Sequence, residues 1–573
     1  MIYLNTENSG VKILLKNTFR KMILNFNTSF TLKKKFILSI YPILYLFLFI
    51  SCNQEEKATI SPNIIWLVAE DQSPEFLPMY GDLSAKLPHL SNLAKDGVVY
   101  TNAYSPVPVC APARSAIISG LYPTSLGTHN MRTYNAYNKE NQPAMGIPSY
   151  SPIFQSGIKM FPRYLREKGY YTTNNSKEDY NFKKTEGVWD ESSSKAHWKN
   201  RKPNQPFFSV FNFGITHESQ IWRQTNQPLL VKPEMLTVPP IFPDTPEVRK
   251  DLAVNYSNLI RLDSQIGKVI EQLKSEGLYE NSIIFFYGDH GGPFPRYKRA
   301  LYETGIKVPL IVKFEGKKIA GSINDDFISF IDFAPTVLSL ANIKPPTIMQ
   351  GKAQFGSYKS DKESEFIFAS SDRFDEQVDR LRSVRFGKFK YIRNFNPEIS
   401  NAIPVSYREQ MPMMKHLNKL WENNELDDNV SAWFKTPKPI EELYNLENDP
   451  YELKNLSNEI NLQDTLVFLR DRLDRWIIET NDLGEFPEKE LIDKWFPKGK
   501  PQKLAPLNKI ISDNKISLSH PDTGVSIVWK QVKDSIWSVY SKPLDYSESI
   551  QAKGVRIGYE DTSLLIFPVN NLQ

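Results

Sequence analysis

The sequence has 573 residues and a formal net charge of +5, from 70 Lys and Arg against 65 Asp and Glu. Residues 1–51 contain seven of these cations and one anion, so the rest of the chain has a net charge of about −1 (5 − 6). That remainder has no basic arm and no basic patch interleaved with aromatic residues, so we expect no nucleic-acid partner. Its length of roughly 520 residues is enough for a large core and a second domain.

The N-terminal segment has the pattern of a secretory signal peptide. Lysines at 33–35 precede a short apolar run at 36–50, which is short for a membrane span, and Ser51 and Cys52 follow. Because residues 49–52 are similar to a lipobox, we expect 1–51 to be a lipoprotein signal peptide and Cys52 to be lipidated. The protein would then be exported and anchored to a bacterial membrane, in the periplasm or on the outer-membrane surface. An uncleaved anchor helix is the alternative.

A polar tether at 52–61 leads to the first predicted strand, at 63–68. Its continuous apolar run is typical of a buried parallel strand. Glu70 and Asp71 follow it, at the end of the strand where α/β folds bind their ligands. Adjacent carboxylates repel one another unless a cation is near, so we predict a metal site here. A solvated acidic loop is the alternative.

Cys110 lies where a helix is predicted to begin, between a Pro-containing loop and the apolar residues 116–118. The N-terminus of a helix presents free N–H groups and the positive end of its dipole, which suits an anion. Arg114 is one turn further along and faces the same side. We predict a reactive thiol in an anion-binding pocket, with a buried structural cysteine as the alternative. If Cys52 carries lipid, no cysteine pair remains for a disulfide.

The segment that carries the strongest resemblance reads Cys110-Ala111-Pro112-Ala113-Arg114 and continues to Ser119-Gly120. It resembles the signature of the type I sulfatases of the alkaline phosphatase superfamily. The resemblance implies an α/β fold with an alkaline-phosphatase-like mixed sheet sandwiched by helices, at 62–365, and a smaller C-terminal antiparallel-sheet subdomain, at 366–500. It also implies that a maturation enzyme converts Cys110 to formylglycine (3-oxoalanine), and that Ca²⁺ is the metal.

Further segments match the same family in the same order. Gly288-Asp289-His290-Gly291-Gly292 resembles its second metal segment, so the implied Ca²⁺ ligands are Glu70, Asp71, residue 110, Asp289 and His290. The family usually has Asp-Asp where this chain has Glu-Asp.

The implied sulfate-binding residues also follow predicted strands. Lys177 matches a family lysine, but Asp179 stands where the family has histidine. His217 follows the strand predicted at 207–213 and is a candidate general acid or base. Lys298 matches the lysine of a Lys-x-x-x-Tyr-Glu segment. A satisfied loop histidine is the alternative for His217.

Other polar residues are candidates for contacts with the substrate. His129 and Arg132 follow the cysteine segment, and a structural role is the alternative for both. Asp179 is a candidate to bind a hydroxyl or amine of the substrate. Asp372 and Arg373 belong to a charged cluster before a strand predicted at 383–394, and a solvated face is the alternative for that cluster. A long helix is predicted at 251–276, and alternating strands at 506–573 resemble a small terminal β-sandwich.

Taken together, the residues and the resemblance predict a sulfatase that acts on a sulfated polysaccharide or its oligosaccharides, such as algal ulvan. The implied mechanism uses a hydroxyl of hydrated formylglycine as the nucleophile and Ca²⁺ to activate it. Lys177, Lys298, His217 and Arg114 would offset the sulfate charge, with His217 also protonating the leaving oxygen. A phosphonate or phosphodiester hydrolase of the same superfamily and an inactive glycan-binding lipoprotein remain alternatives.

Overall fold

The structure is a computed structural model that describes residues 61–134, 147–317, 319–545 and 547–568. The predicted signal peptide, the lipidation site at Cys52 and most of the tether lie outside the described residues. The chain from residue 61 onward forms one compact unit. Among the helices of the described ranges, none has the length and apolar character needed to cross a membrane.

The strands of the described residues form one large sheet and three small ones. In chain order they are β1 (Asn63–Ala69), β2 (Val98–Tyr104), β3 (Tyr171–Asn175), β4 (Glu191–Ser192), β5 (Phe207–Phe213), β6 (Ser282–Gly288), β7 (Lys307–Lys313), β8 (Ser322–Asn324), β9 (Ile328–Ser329), β10 (Phe366–Phe374), β11 (Gln377–Phe386), β12 (Phe389–Asn394), β13 (Glu441–Asn445), β14 (Asn508–Ser512), β15 (Lys515–Ser519), β16 (Ser526–Gln531), β17 (Ser538–Val539), β18 (Leu544–Asp545), β19 (Ile550–Val555) and β20 (Leu565–Phe567).

The α-helices of the same ranges vary from one turn to thirty residues. They are α1 (Pro88–Asp96), α2 (Cys110–Ser119), α3 (Pro123–Leu126), α4 (Pro162–Glu167), α5 (Ser219–Arg223), α6 (Pro246–Ser275), α7 (Glu303–Ile306), α8 (Phe333–Leu340), α9 (Pro412–Glu422), α10 (Asp428–Ser431), α11 (Gln463–Glu479) and α12 (Glu488–Trp495). The helix predicted at 251–276 is the C-terminal part of α6, which Thr245 caps and Pro246 begins.

The large sheet is mixed, as predicted. Its strand order is β4-β3-β5-β1-β6-β7-β2-β8, with β9 also paired to β2, and β7 is antiparallel to both of its neighbours. Alternate side chains of the central strand β1 enter opposite cores: Ile65 packs in the cluster that contains α6, and Trp66 in the cluster that contains α2 and α8. Helices therefore cover both faces, which explains the apolar sequence of β1.

The C-terminal part contains an antiparallel sheet, β10-β11-β12-β13, with α11 packed on one face. The prediction of one strand at 383–394 was wrong, because that stretch contains the end of β11, a turn and β12. Gly387 in the turn has a φ of +51°, a conformation that glycine adopts without strain. Phe386 and Phe389 pair across the turn, so the alternating pattern continues through it and resembles one strand.

Residues near the C-terminus form two further small sheets, β14-β15-β18 and β17-β16-β19-β20. Side chains of both sheets share one apolar core, as a β-sandwich requires. Arg163 and Arg166 of α4 donate to the carbonyls of Ile527 and Trp537, which holds this unit against that helix. The predicted domain limits, 62–365, 366–500 and 506–573, stay predictions.

Candidate active site

The candidate site lies at the carboxyl edge of the large sheet. Four neighbouring strands, β3, β5, β1 and β6, end there, and the loops after them carry Lys177, His217, Asp71 and Asp289. The helix α2 points its N-terminus at the same place, and Cys110 is its first residue. This confirms the predicted helix start, and it places a thiol that is 1% exposed at the positive end of the helix dipole.

Four ligand atoms form a compact group at the centre of the site. The ligand atoms of Asp71, Cys110, Asp289 and His290 all lie within 4.8 Å of one another. His290 Nε2 is 3.2 Å from Cys110 Sγ and 3.0 Å from Asp71 Oδ1. His290 Nδ1 lies 2.9 Å from the Gly291 carbonyl, to which it donates, so the lone pair of a neutral ring points from Nε2 into the group. This donor set fits a metal ion.

The pKa values of His290 and Cys110 reflect the negative charge of the two neighbouring carboxylates, which a bound metal ion would offset. Burial alone would lower the pKa of His290, but Asp289, Cys110 and Asp71 raise it to about 10. Burial raises the pKa of the Cys110 thiol, yet Lys177 and Lys298 lower it overall to about 7. A protonated His290 thus partly neutralises the two carboxylates, and a divalent cation would do the same with its ligand in the neutral form.

A ring of cations surrounds the thiol. Lys298 Nζ is 3.6 Å from Cys110 Sγ, 2.8 Å from Asp71 Oδ2 and 3.3 Å from His217 Nε2. Arg114 binds Asp289 at 3.0 Å, so it is held beside the same centre. His217 Nδ1 accepts the Ser219 N–H at 3.2 Å and lies 2.9 Å from the Ser219 hydroxyl oxygen, while Nε2 faces Lys298 in the pocket. The pocket can bind an anion next to residue 110.

Glu70 and Asp179 contact Lys177 on one side of the pocket. Glu70 Oε2 lies 3.0 Å from Lys177 Nζ and 4.0 Å from His217 Nε2, and Glu70 is not among the four clustered ligands. Asp179 Oδ2 is 3.5 Å from Lys177 Nζ and its side chain is 27% exposed. Metal binding by Glu70 therefore stays a prediction, and so does substrate binding by Asp179.

Three of the predicted substrate contacts are buried behind the pocket. His129 is 2% exposed, Asp372 binds the buried Arg382 at 2.9 Å, and Arg373 binds Glu488 at 2.6 Å. Asp372 and Arg373 also lie within β10, whereas the sequence suggested that they precede the sheet. These contacts hold the C-terminal sheet in place. Substrate binding by the three residues stays a prediction, and their burial does not support it.

Two buried residues of the site were missed although they directly follow predicted ones. Glu218 follows His217 and binds Lys298 at 3.0 Å, while its backbone N–H donates to Asp71 Oδ2 at 2.6 Å. Arg299 follows Lys298 and binds Glu218 at 2.8 Å and Asp375 at 2.9 Å. The only signal in the sequence was this adjacency, because the pairing partners are 81 and 76 residues apart.

Comparisons with known proteins agree with this geometry. The family model described as Sulfatase matches residues 62–194 and 171–343, and the model described as N-sulphoglucosamine sulphohydrolase, C-terminal, matches 288–425. An ulvan-active sulfatase of Formosa agariphila is 40% identical over 580 residues, which cover 91% of this chain and 96% of that protein. The chain belongs to the sulfatase family. This sulfatase is a sulfuric ester hydrolase.

More distant relatives extend the same likeness. Human N-sulphoglucosamine sulphohydrolase is 24% identical over 461 residues, with 73% of this chain and 90% of that protein covered. The solved structure of BT4656 with its substrate D-glucosamine-2-N,6-O-disulfate has a TM-score of 0.53 at 16% identity, covering 75% of this chain and 100% of that one. The phosphonate monoester hydrolase of Agrobacterium radiobacter has a TM-score of 0.52 at 14% identity, covering 73% and 96%. These structures establish that the sulfatase has the alkaline-phosphatase-like fold.

Proposed function

We propose that this sulfatase removes sulfate groups from a sulfated polysaccharide or its oligosaccharides, and that ulvan is the first substrate to test. The observation that carries the proposal is the position of Cys110, among the ligand atoms of Asp71, Asp289 and His290 and within 3.6 Å of Lys298 Nζ. The 40% identity to an ulvan-active sulfatase supports the choice of polymer.

The proposed reactive group is formylglycine, made from Cys110 by a maturation enzyme. Cys110 Sγ then marks the place of the formyl oxygen. Asp71, Asp289, His290 and the matured residue would hold Ca²⁺, which prefers oxygen ligands, and Glu70 is a further proposed ligand. The hydrated aldehyde and Ca²⁺ together supply an activated hydroxyl nucleophile.

The chain's own side chains have three tasks in this proposal. Lys177, Lys298 and Arg114 offset the negative charge on the sulfate as it is transferred. His217 presents Nε2 to the pocket beside Lys298, and from that atom it would donate a proton to the leaving sugar oxygen. Burial of Lys298 and Arg114, at 2% and 5% exposure, excludes water and strengthens their interaction with the anion.

The experiment that tests the nucleophile is mass spectrometry of the tryptic peptide that contains residue 110. The protein is produced together with a formylglycine-generating enzyme, and the expected result is the mass change for conversion of a thiol to an aldehyde. Sulfate release from ulvan is then compared with hydrolysis of a phosphate diester, with Cys110→Ala as the control. An intact thiol under these conditions would contradict the mechanism, and faster diester hydrolysis would favour the phosphodiesterase alternative.

We also propose that Cys52 carries the lipid anchor of the exported protein. The support is the sequence, in which a small residue and cysteine follow the apolar run. Labelling of cells with radioactive palmitate should mark the wild type and leave Cys52→Ala unlabelled. Equal labelling of both proteins, or no labelling of either, would contradict the anchor.

A further inference from the structure

A group of side chains beside the sulfate-binding centre has no task in the mechanism above. The ring of Tyr407 lies 6.2 Å from the ring of His217, centroid to centroid, and 5.2 Å from that of Trp222 in α5. Both Tyr407 and Trp222 are half-buried. Two partly exposed aromatic rings therefore lie next to the proposed proton donor, where the sugar that carries the sulfate must leave.

Arg132 is the charged member of this group. Its guanidinium carbon is 5.6 Å from the centre of the Tyr407 ring, and its side chain is 35% exposed. The contact of Arg132 Nη1 with Asp375 Oδ1 is loose, at 3.6 Å, whereas Arg299 binds the other oxygen, Oδ2, at 2.9 Å. A guanidinium has five N–H donors, so much of this one is available to a ligand.

The backbone holds Arg132 in a conformation that its sequence does not favour. Its φ is +56°, and Arg299 and Asp375, which support it, have φ values of +73° and +55°. Residues with a Cβ rarely occupy this left-handed region, and they persist there only where the surrounding structure holds them, often at ligand-binding sites. The strained backbone at Arg132 is thus a further feature of this group that is common at ligand-binding sites.

We propose that Arg132, Tyr407 and Trp222 form a sugar subsite that binds a unit with its own anionic group, next to the unit that carries the scissile sulfate. The anionic group is a carboxylate or a second sulfate ester. The aromatic rings pack against the sugar, and the guanidinium pairs with the anion, bidentately where its geometry allows. This inference rests on the proposed function, since it assumes a glycan in the pocket.

The test uses three synthetic disaccharides with the same sulfated sugar. Its neighbour is glucuronic acid in the first, glucose 6-sulfate in the second and glucose in the third. The wild type is expected to have a higher kcat/KM for at least one anionic neighbour than for glucose. Arg132→Ala should lower that preference on the order of tenfold, because it removes a charge-assisted hydrogen bond. The first two disaccharides show whether a carboxylate or a sulfate is recognised.

A matched control is Arg223→Ala, since Arg223 is an exposed arginine that directly follows Trp222 in α5. This variant should keep the preference of the wild type. Tyr407→Ala should raise KM for all three disaccharides, and Tyr407→Phe should restore it, because the ring and not the hydroxyl makes the contact.

Two results overturn the subsite while the proposed function stands: equal kcat/KM for the three disaccharides, or an unchanged preference in Arg132→Ala. If the protein with matured residue 110 hydrolyses 4-nitrophenyl sulfate but releases sulfate from no disaccharide and from no polysaccharide, the glycan substrate and the subsite are both refuted. The arms therefore separate a failure of this inference from a failure of the proposed function.

Discussion

Glu218 is the residue whose replacement tests most directly how the site holds Lys298, the lysine that we propose binds the sulfate. Its carboxylate, 1% exposed, binds Lys298 Nζ at 3.0 Å and two Arg299 nitrogens at 2.8 and 3.0 Å. Glu218→Gln keeps the size of the side chain and removes its charge. Lys298 would then be held by Asp71 without its second carboxylate.

The expected loss of activity follows from the displacement of the lysine. A shift of about 1 Å in a group that stabilises the transition state lowers the rate on the order of 10²-fold. We therefore expect kcat for 4-nitrophenyl sulfate to fall about 10²-fold and KM to change less. Removing one partner of a buried ion pair also costs about 3–5 kcal/mol of stability, so the midpoint of thermal unfolding should fall.

The control separates positioning from stability alone. Asp482→Asn breaks a buried carboxylate–guanidinium pair with Arg382, in which both side chains are 0% exposed. It should lower the midpoint of unfolding by a similar amount and leave kcat near the wild-type value at temperatures where both variants are folded. A Glu218→Gln enzyme with wild-type kcat, or an equal loss of kcat in both variants, would refute the reasoning.

Three more predictions concern the metal, the pH dependence of stability and the packing of the metal segment. Chelation by EDTA should abolish sulfate release, and added Ca²⁺ should restore it. At a Ca²⁺ concentration of 100 times Kd, the free energy of unfolding of the wild type should rise by about 2.7 kcal/mol, and that of Asp289→Asn should not. Full activity in EDTA would contradict the metal site. Burial raises the pKa of Asp251 from 3.8 to about 7, so the native state keeps a proton that the unfolded chain releases as the pH rises from about 4 to 7. The wild type should lose at most about 4 kcal/mol over that range, and Asp251→Asn should lose less in urea titrations; identical pH profiles would exclude this effect. Gly291→Ala would place a Cβ 2.0 Å from the Thr304 carbonyl oxygen, so it should lower the free energy of unfolding by about 1–3 kcal/mol or more. In the control, Gly214→Ala, the added Cβ meets nothing closer than 3.6 Å. Equal stabilities of the two variants would contradict the close packing at Gly291.

Several features of this sulfatase could be read from local sequence alone. The apolar runs at β1 and β5 predicted strands, and polar residues directly after them predicted ligands at one edge of a sheet. The start of α2 at Cys110 followed from the loop before it and the apolar residues after it. The predictions of the strands and of the helix start succeeded because strand periodicity and helix ends depend on neighbours within a few residues, and the ligand roles stay predictions.

The partners of the charged side chains were decided only by the tertiary structure. The pattern of the chain could not show that Glu70 turns to Lys177, 107 residues away, or that Arg373 is buried against Glu488, 115 residues away. It also could not place Tyr407, from a loop between β12 and α9, beside His217. An ion pair or ring contact forms only when packing brings distant segments within a few ångströms, and a one-dimensional pattern carries no record of those distances. The sequence by itself therefore determined most of the strands around the site and the start of α2, whereas the fold decided which charged side chains line the pocket and which are paired elsewhere in the protein.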